Sequence, residues 1–124
     1  MDIVIEKLAE RLHEVFYGKR GYITTPTGKK RADGKEIHDT RSVKEELEKR
    51  HYYDHLTTKK GLTVSPFFEL DKVFWGSLDI DKYSLTNKQL IRIIIQCRSI
   101  NLVPTRSKSG GLHLWAFCSK EVPA

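Results

Sequence analysis

Apolar residues recur along the chain with two different periods, and the change of period divides it. Ile5, Leu8, Leu12, Val15 and Phe16 follow helical spacing, which predicts a helix from about Asp2 to Tyr17 with one buried face, ended by Gly18 and Gly21. Residues 21–39 lose that period. Turn signals, Thr-Pro-Thr-Gly and Ala-Asp-Gly, stand there among basic residues, so a short strand at Tyr22 to Thr24 and then a mobile basic loop are expected. Ser42-Val-Lys-Glu45 has the form of a capping box and predicts a second helix from near Val43 to about Asp54.

From Leu62 the pattern becomes strand-like. Leu62 to Phe68 reads as an edge strand because Pro66 interrupts it, and Val73 to Ile80 reads as a central strand. Thr86-Asn-Lys-Gln89 is a second capping box. The helix it opens places Leu90, Ile94 and Cys97 on one face, and Ile91, Ile93 and Ile95 extend its apolar surface, so tight packing on a sheet is expected. Leu102 to Arg106 and Leu112 to Ser119 are two further strands joined by Ser-Lys-Ser-Gly-Gly. The fold class expected is α/β (α+β), with one covered sheet. Val122-Pro123-Ala124 follows a strand directly, which predicts an apolar face and an edge left for a partner or for further sequence.

Composition adds bounds. With 124 residues, 39% of them apolar and 10% aromatic, the chain can bury a core and is expected to be one domain or part of one. Glu6, Lys7, Glu10 and Arg11 break up any signal-peptide pattern, and no apolar run is long enough for a helical membrane span, so a cytoplasmic protein is expected. Cys97 and Cys118 have neither disulfide-scaffold nor zinc spacing and read as small buried hydrophobes. His51 and His55, four apart with His38 nearby, lack the glutamate of a zinc-protease helix and read as surface or packing residues. The net charge is +6. Between Lys19 and Lys35, six bases (Lys19, Arg20, Lys29, Lys30, Arg31, Lys35) face one acid, Asp33. Arg98, Arg106 and Lys108 form a second basic stretch. Clustered positive charge suits a polyanion, nucleic acid or a nucleoside triphosphate, or simply a solvated face.

Two places carry candidate chemistry. Asp79 and Asp81, two apart at the end of a strand, project to the same side about 7 Å apart, within reach of shared hard cations. In that arrangement Leu78 and Ile80 face the core. Ser107-Lys-Ser-Gly-Gly-Leu-His-Leu-Trp115 offers hydroxyls, an ammonium and glycine-exposed backbone N–H groups to an anion, and then a histidine, His113, on a rigid strand. A glycine-containing hairpin with an exposed histidine has the same sequence. No Walker loop occurs. Tyr52, Tyr53, Phe67, Phe68, Phe74 and Trp75 can stack on bases or fill a core.

Phe74-Trp-Gly-Ser-Leu-Asp-Ile-Asp-Lys-Tyr83, a helix, a strand and then Ser107 to Trp115 together resemble the catalytic core of the archaeo-eukaryotic primase superfamily, closest to phage and mobile-element primase-polymerases. His55-Leu56 and Gly61 to Phe68 are similar to the segment before the acidic strand, and the resemblance spans about Tyr52 to Ala124. It implies an RRM-like sheet, with residues 1–60 a helical and basic-loop region and 61–124 a partial RRM-like module, together the N-terminal part of a catalytic domain. It implies that Asp79 and Asp81 hold Mg²⁺ or Mn²⁺. Ser107, Lys108, Ser109, Gly110, Gly111 and His113 would bind the triphosphate, with Asp79, Asp81 and His113 as the catalytic set. Lys19, Arg20, Lys29, Lys30, Arg31 and Lys35 would lie on a single-stranded DNA template. The family's third acidic motif has no good counterpart, since Glu121 is the only acid after His113. A second chain or missing sequence completing the sheet, or a replicative helicase, are the partners this implies, in host cytoplasm if phage-encoded. The alternative is a non-catalytic nucleic-acid-binding or replication-assembly module.

Overall fold

The computed structural model describes residues 2–69 and 71–124, and the Phe68 side chain, a stacking candidate, lies outside the described ones. The chain is α+β with two antiparallel sheets rather than one. Helix α1 (Ile3–Val15) leads into β1 (Gly21–Lys30) and β2 (Glu36–Ser42), then α2 (Lys49–Thr57) and β3 (Gly61–Val64). The second part is β4 (Phe67–Glu69), β5 (Lys72–Ile80), α3 (Asn87–Ser99), β6 (Val103–Arg106) and β7 (Leu112–Pro123). The sheet orders are β2-β1-β3 and β4-β5-β7-β6. In the second, β7 enters between β5 and β6, whose connection carries α3, giving a split β-α-β arrangement.

Asp2 caps α1 by accepting the Val4 N–H at 2.9 Å. The helix buries Ala9 fully and Leu12 and Phe16 in part, while Leu8, expected on that face, is half exposed. Ala9, Leu47 and Tyr52 make the core of the first part, flanked by Val43, Leu62 and Val64. The Tyr52 hydroxyl donates to the Phe16 carbonyl at 2.8 Å. Phe16 then reaches the second sheet, edge-on to Trp75, Trp115 and Phe117 with ring centroids about 5 Å apart. The Trp75 indole N–H donates to the Tyr17 carbonyl at 2.9 Å.

Four expectations give way to tertiary context. The basic loop is a hairpin: Thr25-Pro-Thr-Gly28 lies inside β1, where Gly28 at φ 75° accompanies a register shift, and only Ala32-Asp-Gly34 forms the tip. The second helix begins six residues later than Val43. The Val43 N–H donates to the Gly21 carbonyl and Leu47 is buried, so pairing and burial hold residues 43–47 out of a helix; the working cap is His51 Nδ1 accepting the Glu48 N–H at 2.8 Å. The Leu62 to Phe68 run is two strands in different sheets. Ser65 donates to Arg20 in the first, and at Pro66, which has no N–H, the chain crosses to the second. Helix α3 starts at its capping box, with Thr86 and Gln89 reciprocally bonded. It buries Cys97, but Ile91, Ile94 and Ile95 remain exposed. No helix among the described residues is long and apolar enough to cross a membrane.

Candidate functional site

Strands β5 and β7 pair with Asp79 opposite His113 and Ser77 opposite Trp115; on the other side of β7, His113 faces Thr105 and Trp115 faces Val103 of β6. Alternation therefore puts Trp75, Ser77, Asp79, His113, Trp115 and Thr105 on one face. Near Trp75 this face is closed by Phe16, and toward Asp79 it opens. His113 Nε2 lies 3.7 Å from Asp79 Oδ1, an ion pair when the imidazole is protonated. The Asp79 side chain is 62% exposed. The ring of His113 stands edge-on to Trp115 at 5.5 Å, and the Trp115 indole N–H donates to Thr105 Oγ1 at 2.8 Å. The tryptophan is thereby fixed, and the imidazole is held against it.

The opposite face carries Ile80, Leu112 and Leu114. Leu112 is buried, but Leu78 is 64% exposed, against the expectation that it faces the core: the covering on this side does not extend to it. Asp81 follows the last residue of β5, and the Tyr83 hydroxyl approaches its Oδ1 at 3.5 Å.

The 107–111 loop lies against this strand end. Ser107 N–H donates to the Gly111 carbonyl and Gly110 N–H to the Ser107 carbonyl, so two of its backbone donors are engaged within the turn. Gly110 has φ 95°, a left-handed value that favours glycine. At Gly111 a Cβ would stand 2.3 Å from the Ile80 carbonyl oxygen, and at Gly110 one would stand 3.5 Å from the Tyr83 carbonyl. The Gly111 hydrogen therefore lets the two loops touch, which brings Lys108 and both serines to the same end of the sheet as Asp79 and Asp81. The Arg106 guanidinium reaches within 3.8 Å of the same Gly110 position.

Glu121 is elsewhere. It adjoins Val122, which pairs with Val73, six residues or about 20 Å along β5 from Asp79. Among the described residues no group of three or more His, Cys, Asp or Glu gathers in one place. The six basic residues are also divided. Lys19 and Arg20 precede β1, whereas Lys29, Lys30, Arg31 and Lys35 surround the hairpin tip, about 30 Å away along a ten-residue strand. At that tip Arg31 lies 3.5 Å from Asp33.

Sequence reading missed Ser77, Thr105 and His55 as neighbours of this site. The i+2 rule along β5 points to Ser77, but Thr105 and His55 come in only through strand order and packing. An apolar cavity of about 420 Å³ is lined by Phe16, Tyr52, His55, Trp75, Ser77 and Trp115 among others; its Ser77–Trp115 pair is the next along the same face from Asp79 and His113, neither of which lines it.

Residues 10–124 match the family described as the archaeo-eukaryotic primase domain of the TOTE conflict system. The chain belongs to the archaeo-eukaryotic primases. No curated protein sequence matches it. The primase resemblance, read from the sequence over about Tyr52 to Ala124, therefore extends toward the N-terminus, to residue 10.

Proposed function

We propose that this primase-family chain forms the metal- and triphosphate-binding part of a nucleotidyl-transfer site. The observation that carries the proposal is the Asp79–His113 pair at one end of β5 and β7, with Gly111 of the 107–111 loop against Ile80 at that same end and Asp81 next in the chain. Two exposed carboxylates are hard oxygen donors, too few for a cage but suited to Mg²⁺ or Mn²⁺, which share their coordination with waters and substrate phosphates. A divalent ion bound there would neutralise phosphate charge and lower the pKa of an attacking hydroxyl.

The protein's own groups supply orientation. His113, held by Trp115 and paired with Asp79, presents a donor to a phosphate oxygen, strongest when protonated. Lys108 and the hydroxyls of Ser107 and Ser109 add donors from the loop, while Gly111 keeps that loop on the strand. Lys29, Lys30 and Lys35 project on a hairpin arm that can follow a single-stranded DNA backbone without reading sequence. A third carboxylate, needed for full transfer in this reading, comes from outside the described residues.

Thermal unfolding with a nucleoside triphosphate, with and without Mn²⁺, tests the proposal. At a hundredfold excess over Kd, ligand stabilises by about 2.7 kcal/mol, or about 10 °C for a chain of this size. The expected shift needs metal and is lost in Asp79→Asn/Asp81→Asn. A shift unchanged by those substitutions, or none in wild type, contradicts it. Nucleic-acid binding indifferent to EDTA and to His113→Ala, with no nucleotide shift, would instead indicate a non-catalytic binding module.

A further inference from the structure

We infer that the outer face of the β2-β1-β3 sheet is a platform for single-stranded nucleic acid, on which Tyr22 stacks a base. This rests on the assignment of the hairpin arm to a DNA backbone and extends it. Arg20 stands at one end of β1 and Lys29, Lys30 and Lys35 at the other, about 30 Å apart, and the sheet face between them is open.

Strand pairing sorts the residues of this sheet into two faces. The inner one meets the core: Leu62 and Val64 pack against it, and a Cβ at Gly21 would stand 2.9 Å from the Leu47 side chain. The alternate positions form the outer face. Tyr22 is at its centre, on the middle strand between Ser42 of β2 and Thr63 of β3; in the next row Thr24 lies between Thr40 and Gly61. Tyr22 is 48% exposed, and Thr40, Ser42 and Thr63 are exposed as well. Their side chains are short and Gly61 has none, so the tyrosine is the one large side chain in these two rows.

Charge complementarity names the occupant. The Ser65 N–H donates to the Arg20 carbonyl and the Val43 N–H to the Gly21 carbonyl, which continues the pairing at one end. Exposed Arg20 and Lys44 thereby fall in line with Tyr22 and Ser42. At the other end are the bases of the hairpin tip. Among the described residues the outer face holds no acid until Glu36, at the tip, 3.8 Å from His38. Asp39 belongs to the inner face, where Arg41 holds it at 3.2 Å. An aromatic ring between two groups of bases is how proteins hold single strands without reading sequence, and the hydroxyls add neutral donors to phosphate.

Fluorescence anisotropy with labelled oligothymidylate and oligouridylate over a range of salt tests this. For the strand that binds tighter, Tyr22→Ala should weaken binding about tenfold. Its log–log salt slope should stay the same, because stacking releases no counterions. Tyr22→Phe, which keeps the ring, should bind as wild type. Arg20→Gln/Lys44→Gln should instead flatten the slope by about 1. Ile37→Ala, exposed on the inner side of β2, is the control and should change neither. Unchanged affinity in Tyr22→Ala, with Lys29→Gln/Lys30→Gln/Lys35→Gln still weakened, overturns the platform and leaves the arm standing. Failure of wild type to bind either strand at low salt overturns the arm and the platform together. Should Tyr22→Ala not fold, ultraviolet crosslinking of bromouracil-substituted DNA to wild type decides: attachment at Tyr22 supports the platform, and attachment confined to the hairpin tip overturns it.

Discussion

Gly111→Ala probes the contact on which the site is built. The new Cβ would lie 2.3 Å from the Ile80 carbonyl oxygen, more than 1 Å inside ordinary contact, and the obstructing atom is backbone. Relief requires the end of β5 to separate from the start of β7. Overpacking of this kind costs about 1–3 kcal/mol, and a chain of 124 residues loses about 4 °C in Tm per kcal/mol, so a fall of roughly 4–12 °C is expected. The same movement separates Asp79 from His113, so metal-dependent nucleotide affinity should fall more than the stability loss explains. Gly76→Ala in β5 is the control, because its Cβ would meet nothing within 4 Å. It should be neutral or slightly stabilising, since glycine costs a strand interior conformational entropy. Denaturant melts and nucleotide titrations of the two variants decide. If Gly111→Ala is as stable as wild type, or the two substitutions cost the same, the close approach is not what joins the loops.

Two further outcomes follow from single contacts. Burial pushes the Tyr52 hydroxyl up to about 12. A folded pKa above the unfolded value of about 10 means stability that is complete below pH 10 and lost as pH rises to 12, a loss of about 2–3 kcal/mol; Tyr52→Phe should lack this alkaline loss while giving up about 1 kcal/mol at neutral pH with its bond to Phe16, and denaturant melts from pH 8 to 12 measure both. In the hairpin arm, Lys29→Gln/Lys30→Gln/Lys35→Gln should weaken single-stranded DNA binding and flatten its log–log salt dependence by about 2, at roughly 0.7 per phosphate contact; an unchanged slope would remove the arm from the interface.

The elements most legible in the sequence are those fixed by local signals. Thr86 and Gln89 cap α3 because the hydroxyl and amide reach each other's backbone without outside help, and the Val73 to Ile80 alternation gives β5. The identical pattern at Ser42 fails because Leu47 is worth more in the core than a local cap, and Val43 pairs with β1. Pro66 was legible as an interruption but not as a passage between sheets, since a missing N–H does not say where the next strand pairs. Asp79 and His113 were legible separately, through strand alternation and the glycine-containing loop. Their pairing needed the strand order, because β7 returns between β5 and β6. The exposed isoleucines of α3 show where composition misleads: an apolar helix need not be a packed one.

Mn²⁺ paramagnetic broadening of ¹⁵N-labelled protein in the presence of ATP tests the central claim most directly. Resonances of Asp79, Asp81, the His113 imidazole and residues 107–111 should broaden first, and Asp79→Asn/Asp81→Asn should abolish the effect. Broadening centred elsewhere, or confined to scattered surface carboxylates and unchanged in that variant, would contradict the assignment of this strand end as the metal and triphosphate site.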